Sequence, residues 1–447
     1  MSTIIINDAI IVNEGKQFKG SVLLRNGFIE RISKTPFEDE KADRVIDAKG
    51  KYLLPGIIDD QVHFREPGLT HKGNIYSEAK AGIAGGVTSF MEMPNTSPQT
   101  TSNEELDKKH HIASEKSLAN YSFYLGATND NINEIVKVNP NKVCGVKVFM
   151  GSSTGNMLVD SPNALEQIFK SSPVLIATHC EDEETIKNNL THYTKVYGDD
   201  IPISYHPLIR SAEACYLSSS LAVKLAQKHN ARLHLLHLST EKEIDLLSND
   251  LPLKEKRITG EVCIHHLWFS DDDYEGLGWR IKWNPAIKTN SDKLALIKAL
   301  KENKLDIIAT DHAPHTLEEK GNKYSQCPSG GPMVQHSLIA MLEMMRKGIF
   351  TIEMVVYKMC HAPAELFGIE KRGFIREGYY ADLVLVDPKN HWTVTPENIL
   401  YKCGWSPLEG ETFSNKVTHT IVNGRLVYEN GRFDETVKGI PLIFIRH

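Results

Sequence analysis

The 447-residue chain has no apolar run approaching the roughly 20 residues that a membrane span requires. Its N-terminus, Met1-Ser2-Thr3-Ile4-Ile5-Ile6-Asn7-Asp8, lacks a basic segment followed by a long apolar core, so no secretory signal is expected. Basic residues are not in excess. The 51 Lys and Arg stand against 57 Asp and Glu, and the net charge of −6 argues against nucleic acid or an anionic membrane as partner. Cysteine is sparse, and its 7 copies are scattered and odd in number, which fits reduced thiols in a cytoplasm better than a disulfide framework. Short repeats and low-complexity segments are absent. What remains is an ordinary globular composition, 41% hydrophobic and 24% charged, long enough for one large α/β barrel domain or two or three smaller ones.

The two ends of the chain read as β structure. Ser21–Arg25 and Phe28–Ile32 flank Asn26-Gly27, a type I′ hairpin signal, and His419–Val422 and Arg425–Tyr428 flank Asn423-Gly424 in the same way. Ala381–Asp387 reads as a buried strand stopped by Pro388. The middle alternates short apolar runs with helical patterns. The runs include 145–150, 174–178, 232–238 and 305–310, and one helical pattern spans Ser211 to Lys228. Such alternation over some 300 residues implies a parallel sheet, and a closed (β/α)8 TIM barrel suits the length. The expected organisation is an N-terminal part of a small β-sandwich domain (1–54), a barrel (55–364), and the C-terminal part of the β domain (365–447).

Polar residues punctuate the apolar runs. Asp59-Asp60-Gln61-Val62-His63-Phe64-Arg65-Glu66-Pro67-Gly68 nearly contains a His-x-His, with glutamine at the first position. Alternation along a strand puts positions 61 and 63 on one side, with Arg65 further along it. His63, Lys147, His179, His237 and Asp311 each lie in or just after an apolar run. In a barrel such positions converge on the C-terminal mouth, where three imidazoles, a carboxylate and a lysine make a binuclear metal site suited to zinc. Taken singly, each has a plainer reading. A lone strand histidine is more often a hydrogen-bonded core residue, Lys147 a snorkelling lysine, and Asp311 a helix cap. Five at five strand ends favour the metal. His110-His111, in a polar helix after Glu104-Glu105, reads as a solvated face.

The motifs resemble the amidohydrolase superfamily and, within its cyclic amidase branch, the dihydroorotases, over essentially the whole chain. The resemblance is carried by Pro55–Asp59 with Val62–Gly68, Gly85-Gly86-Val87-Thr88, Met93-Pro94-Asn95-Thr96, His179-Cys180-Glu181, Leu236–Ser239, Thr310–His315, and the stretch from Gly373 to Pro388. It implies reversible cyclisation of N-carbamoyl-L-aspartate to L-dihydroorotate in pyrimidine synthesis, by a metal-activated hydroxide with Asp311 as general base. By the same resemblance, one or two Zn2+ ions are held by His63 and Asp311 on one side and His179 and His237 on the other. Lys147, carboxylated by CO2, bridges them. Some relatives bridge with an aspartate after this strand, but 151–155 is Gly-Ser-Ser-Thr-Gly, which favours the carboxylated lysine. Gln61 is then a weak or absent ligand. Arg65, Asn95, Asn284, His315, Ser329 and Gly330 match substrate contacts, Arg65 for the substrate carboxylate. His265-His266, in Glu261–Leu267, match a strand supporting the metal mouth. The resemblance also implies a homodimer and association with aspartate transcarbamoylase.

Two alternatives stay open. One is another cyclic amidase, an allantoinase or a dihydropyrimidinase. The former tend to carry Asn at the position of Arg65, and the latter lack Arg-Glu-Pro-Gly. The other is a catalytically silent homologue that supports aspartate transcarbamoylase, for which the loss at Gln61 is the single indication.

Overall fold

The computed structural model describes residues 3–151 and 157–446. The stretch 152–155, whose lack of aspartate bears on Lys147, lies outside the described residues. Both chain ends enter one nine-stranded sheet. Thr3–Asn13 pairs antiparallel with Lys16–Arg25 and parallel with Tyr52–Pro55, and Tyr52–Pro55 pairs antiparallel with Leu383–Asp387. This last ladder, Leu383 opposite Pro55, joins residues more than 300 positions apart. Both Asn-Gly turns form as expected. Asn26 and Gly27 have φ of 54° and 93°, and Asn423 and Gly424 have 50° and 70°, the left-handed values a type I′ turn needs. One face of the sheet buries Ile6, Ile11, Val22, Leu24, Leu53, Leu383 and Leu385 as a core of its own.

A single glycine, Gly56, separates that sheet from the barrel. A Cβ there would sit 2.0 Å from Thr88 Oγ1, so only glycine passes the chain this close to the next strand. Among the described residues the barrel has eight parallel strands: β1 (Ile57–Val62), β2 (Val87–Glu92), β3 (Asn120–Phe123 continued by Leu125–Gly126), β4 (Val146–Phe149), β5 (Ile176–His179), β6 (Leu233–Leu235), β7 (Ile258–Cys263) and β8 (Ile307–Ala309). Neighbours pair in sequence order. Closure between β8 and β1 comes from a bridge of Val62 to His312, with His63 N donating to His312 O at 2.7 Å.

The apolar runs are longer in sequence than as strands. The run 232–238 is strand only over Leu233–Leu235, and 305–310 only over Ile307–Ala309, because the residues beyond turn into the mouth. His237 and Asp311 there have φ of 39° and 43°. The helix expected from Ser211 to Lys228 spans Ala212–His229, with the Ser211 side chain accepting from Ala214 N. Inside the barrel Ile58, Met91, Tyr124, Ala177 and Ile307 pack with Phe367, Leu442 and Phe444, which close its floor. The last residues leave the sheet for this floor, where Arg446 donates to the carbonyls of Pro140, Val143, Cys144 and Phe367 at 2.8–3.0 Å. Among the described residues no helix is long and apolar enough to cross a membrane.

Candidate metal centre

Gln61, His63, Lys147, His179, His237, Asn284, Asp311, Ser329 and Gly330 line one cavity at the C-terminal mouth of the barrel, together with Phe149 and Ala313. They come from β1, β4 and β5, from the turns after β6 and β8, and from two later loops, so packing of the barrel assembles them. Lys147 is 1% exposed, and burial pulls its ammonium down to about 8.

Two contacts of ring nitrogens, one on each side of the cavity, bring possible ligand atoms together. His63 Nδ1 lies 2.7 Å from Asn95 Oδ1, so that nitrogen carries the hydrogen and donates it. Its bare Nε2 then faces Asp311 Oδ1 at 3.1 Å, lone pair against carboxylate. On the other side His179 Nδ1 lies 2.9 Å from His237 Nε2. His179 Nε2 lies 3.0 Å from Glu181 Oε2, and His237 Nδ1 is buried with no hydrogen-bond partner among the described residues. Burial lowers the pKa of His63, His179 and His237, leaving their lone pairs free. Lone pairs and a carboxylate at these spacings, around a buried lysine, fit divalent cations. Tetrahedral coordination at about 2.0–2.1 Å puts neighbouring ligand atoms roughly 3.3 Å apart.

Supporting residues fix these groups. Asp59 Oδ2 accepts from Thr310 Oγ1 at 2.6 Å and its Oδ1 accepts from Gln61 N at 3.3 Å, tying β1 to the residue before Asp311. Burial raises Asp59 to about 8. Glu181 is fully buried, yet Arg210 and His179 hold it down at about 2. Glu261 Oε1 accepts from His237 N at 2.9 Å. Sequence reasoning missed these carboxylates, although an Asp-Asp doublet inside an apolar strand and a Glu two residues after His179 are visible signals.

Several expectations are corrected. Arg65 does not continue along the β1 side shared by 61 and 63. The strand ends at Val62, and Arg65 has a left-handed φ of 71°. Its Nε donates to Pro314 O at 3.1 Å and its Nη2 lies 3.1 Å from His315 Nε2. His315 Nε2 in turn lies 3.1 Å from Ser329 O, so Arg65 and His315 stand directly behind the cavity wall. Gln61 points its amide nitrogen, a donor, at Asp311 Oδ1 (3.2 Å). His265 and His266 follow β7 on a short helix, Ile264–Trp268, where His265 stacks on Trp283. His110 is not solvated. It packs edge-on against Phe123, and burial lowers it to about 4. His111 is the exposed one.

The loop carrying Ser329 and Gly330 is clamped from below. Lys320, fully buried, donates to Pro328 O and Gly330 O at 2.9 Å, and Lys282 donates to Tyr324 O and Cys327 O. Gly330 has φ of 125°, and a Cβ there would meet Ala313 O at 2.6 Å.

Residues 52–427 match the model of the amidohydrolase family. The chain belongs to this family. As an amidohydrolase it is similar over most of its length to proteins named dihydroorotase. The one from Methanosarcina mazei is 34% identical over 90% of this chain and 89% of its own length, and that from Pyrococcus furiosus 33% over 94% and 92%. Among solved structures, an L-hydantoinase (dihydropyrimidinase) from Arthrobacter aurescens superposes with a TM-score of 0.90 at 25% identity, covering 97% of both chains.

Proposed function

We propose that this amidohydrolase is a dihydroorotase, interconverting N-carbamoyl-L-aspartate and L-dihydroorotate with one or two zinc ions. The observation that carries the reading is Lys147, buried among His63, His179, His237 and Asp311, with Arg65 and His315 just behind the same cavity. Zinc bound to these residues supplies Lewis acidity toward the ring carbonyl and lowers the pKa of water from ~15.7 toward neutrality.

The chain's own groups do the rest. At pH 7 a lysine of pKa about 8 is roughly a tenth free amine, against about four in ten thousand for an ordinary lysine. The Lys147 amine is therefore ready to form an N–C bond to CO2 and release a proton. The carbamate that results is a carboxylate suited to two cations. Asp311 takes a proton from the attacking water and gives it to the ring nitrogen that leaves, and ring closure runs the same transfers in reverse. Asn284 Oδ1, buried with no hydrogen-bond partner among the described residues, is an acceptor for a ring N–H. Ser329 and Gly330, in the cavity lining, hydrogen-bond the ring's edge. Arg65 is charged at neutral pH, although burial lowers it to about 10, and it supplies a bidentate partner for the substrate carboxylate. A neutral hydantoin ring has no such group, which favours dihydroorotate over the hydantoinase reading. A cytoplasmic homodimer that associates with aspartate transcarbamoylase belongs to the same proposal.

The test is turnover by the full, zinc-loaded chain of dihydroorotate, with hydantoin, dihydrouracil and allantoin in parallel. Turnover of dihydroorotate alone supports the proposal. Turnover of only the neutral rings moves the chain to the hydantoinases or allantoinases. An intact fold that turns over none of them leaves a silent homologue.

A further inference from the structure

The loop that follows β1 carries a second cation to which the proposed reaction gives no role. Arg65 stands near its start and Lys72 further along, and both reach the same imidazole. Arg65 Nη2 lies 3.1 Å from His315 Nε2, and Lys72 Nζ lies 3.0 Å from His315 Nδ1. The loop is folded back on itself, with Leu69 N donating to Arg65 O at 3.0 Å and Lys72 N donating to Leu69 O at 3.1 Å. Glu319 anchors Lys72 from the other side, its Oε1 lying 3.0 Å from Nζ. Glu319 is fixed in turn, because its Oε2 accepts from Thr316 N at 3.1 Å where the short helix Leu317–Lys320 begins. Lys72 does not line the metal cavity.

The directions of these contacts fix where the hydrogen of His315 sits. Burial, with the charges of Arg65 and Lys72 beside it, holds the ring neutral, so one nitrogen carries a hydrogen and the other a lone pair. Ser329 O, 3.1 Å from Nε2, is a carbonyl and can only accept, so Nε2 donates to it. A lysine ammonium can only donate, so Nδ1 accepts from Lys72. Both contacts select the same tautomer, with the hydrogen on Nε2. Glu319 Oε2 would draw that hydrogen to Nδ1, but at 3.5 Å it lies beyond the usual N–H···O range. Arg65 Nη2 therefore stands beside a nitrogen that is itself a donor. Two N–H groups side by side match the two oxygens of one carboxylate.

We propose that Lys72 is a positioning residue that fixes the tautomer of His315, so that Nε2–H is presented with the Arg65 guanidinium to the substrate carboxylate. This inference rests on the dihydroorotase reading of the cavity. Without Lys72, Nδ1 is free to take the hydrogen toward Glu319, and the ring then turns a lone pair toward the arriving carboxylate. A donor becomes an acceptor at the place where the substrate is negative. Lys72 acts through His315 and touches neither the ring that reacts nor the attacking water, so its loss should weaken binding and spare the chemical step.

The test uses the full, zinc-loaded chain and two readouts. In 15N spectra, with His315 assigned by the signal missing from His315→Gln, the parent should show a protonated Nε2 and a bare Nδ1. Lys72→Met should move hydrogen to Nδ1 and raise KM for dihydroorotate about tenfold or more, the size of a lost charge-assisted hydrogen bond, with kcat changed less than about twofold. Lys72→Arg restores a cationic donor and should recover the Nε2–H signal and most of the KM. A merely structural lysine would leave the tautomer where it is. Should Lys72→Met fail to fold, Glu319→Gln, which removes the counter-ion of Lys72, should shift KM in the same direction. A parent carrying its hydrogen on Nδ1, or a folded Lys72→Met chain with parental KM and tautomer, overturns the inference while turnover of dihydroorotate by the parent still stands. A parent that turns over only neutral rings sinks the dihydroorotase reading and the carboxylate role of Lys72 with it.

Discussion

His179 Nδ1 and His237 Nε2 lie 2.9 Å apart, two nitrogens of neutral rings converging on one point. The opposite side of the cavity is built less symmetrically. There His63 and Asp311 converge, but Gln61 turns a donor nitrogen toward Asp311 where an acceptor would serve a cation. The two sides should therefore bind zinc unequally. Titration of the metal-free chain is expected to show a tight phase and a weaker one. Gln61→His adds an imidazole to the weaker side and should tighten that phase by about tenfold or more. Two equally tight phases in the parent would refute this account of Gln61.

Asp311→Asn keeps the shape of the side chain and removes its basicity. If Asp311 moves the proton between water and the ring nitrogen, kcat for dihydroorotate should fall by about two orders of magnitude or more. Asn retains an oxygen toward His63 and Gln61, so circular dichroism and melting temperature should change little. Near-parental kcat in a zinc-loaded variant would remove Asp311 from the role.

Much of this was legible in the sequence for a physical reason. Strand ends in a parallel barrel must converge, so His63, Lys147, His179, His237 and Asp311 could be brought together without a structure. The Asn-Gly turns were equally readable, because few other pairs accept two left-handed residues. What escaped depends on directions that spacing does not encode. Arg65 leaves the β1 alternation through its own backbone turn. Gln61 presents nitrogen because Cys263 and Asp311 surround it. His110 was misread because a polar helix still has one face against Phe123.

Lys320 gives a prediction in pH. Burial lowers it to about 7 in the fold, well below an ordinary lysine. Below pH 7 both folded and unfolded chains hold the proton, and the cost of burying the charge is present in full. Between about pH 7 and 10.5 the unfolded chain binds the proton that the folded one has released, so stability gains with rising pH, by at most about 1.4 kcal/mol per unit. Lys320→Met lacks this contribution and also the bonds to Pro328 and Gly330. Urea unfolding from pH 7 to 9.5 should show the parent's advantage over the variant growing with pH. Parallel profiles would mean that Lys320 is not the titrating group.

Arg65 separates the candidate substrates. Arg65 is 2% exposed and its Nη2 lies 3.1 Å from His315 Nε2, with no carboxylate within ion-pair distance among the described residues. A buried guanidinium without a carboxylate partner is poised for one that arrives with the substrate. Arg65→Ala should therefore raise KM for dihydroorotate by the equivalent of about 2–5 kcal/mol, as loss of a buried charge pair does. Arg65→Lys should recover part of this, because it restores the charge without the bidentate fork. The variant also loses the bond to Pro314 O, so its melting temperature has to be followed alongside. A purely structural role would lower the melting temperature and impair every cyclic amide alike. A carboxylate-binding role impairs dihydroorotate selectively and leaves any residual turnover of neutral rings unchanged. An unchanged KM for dihydroorotate in a folded Arg65→Ala chain would contradict the role assigned to this residue.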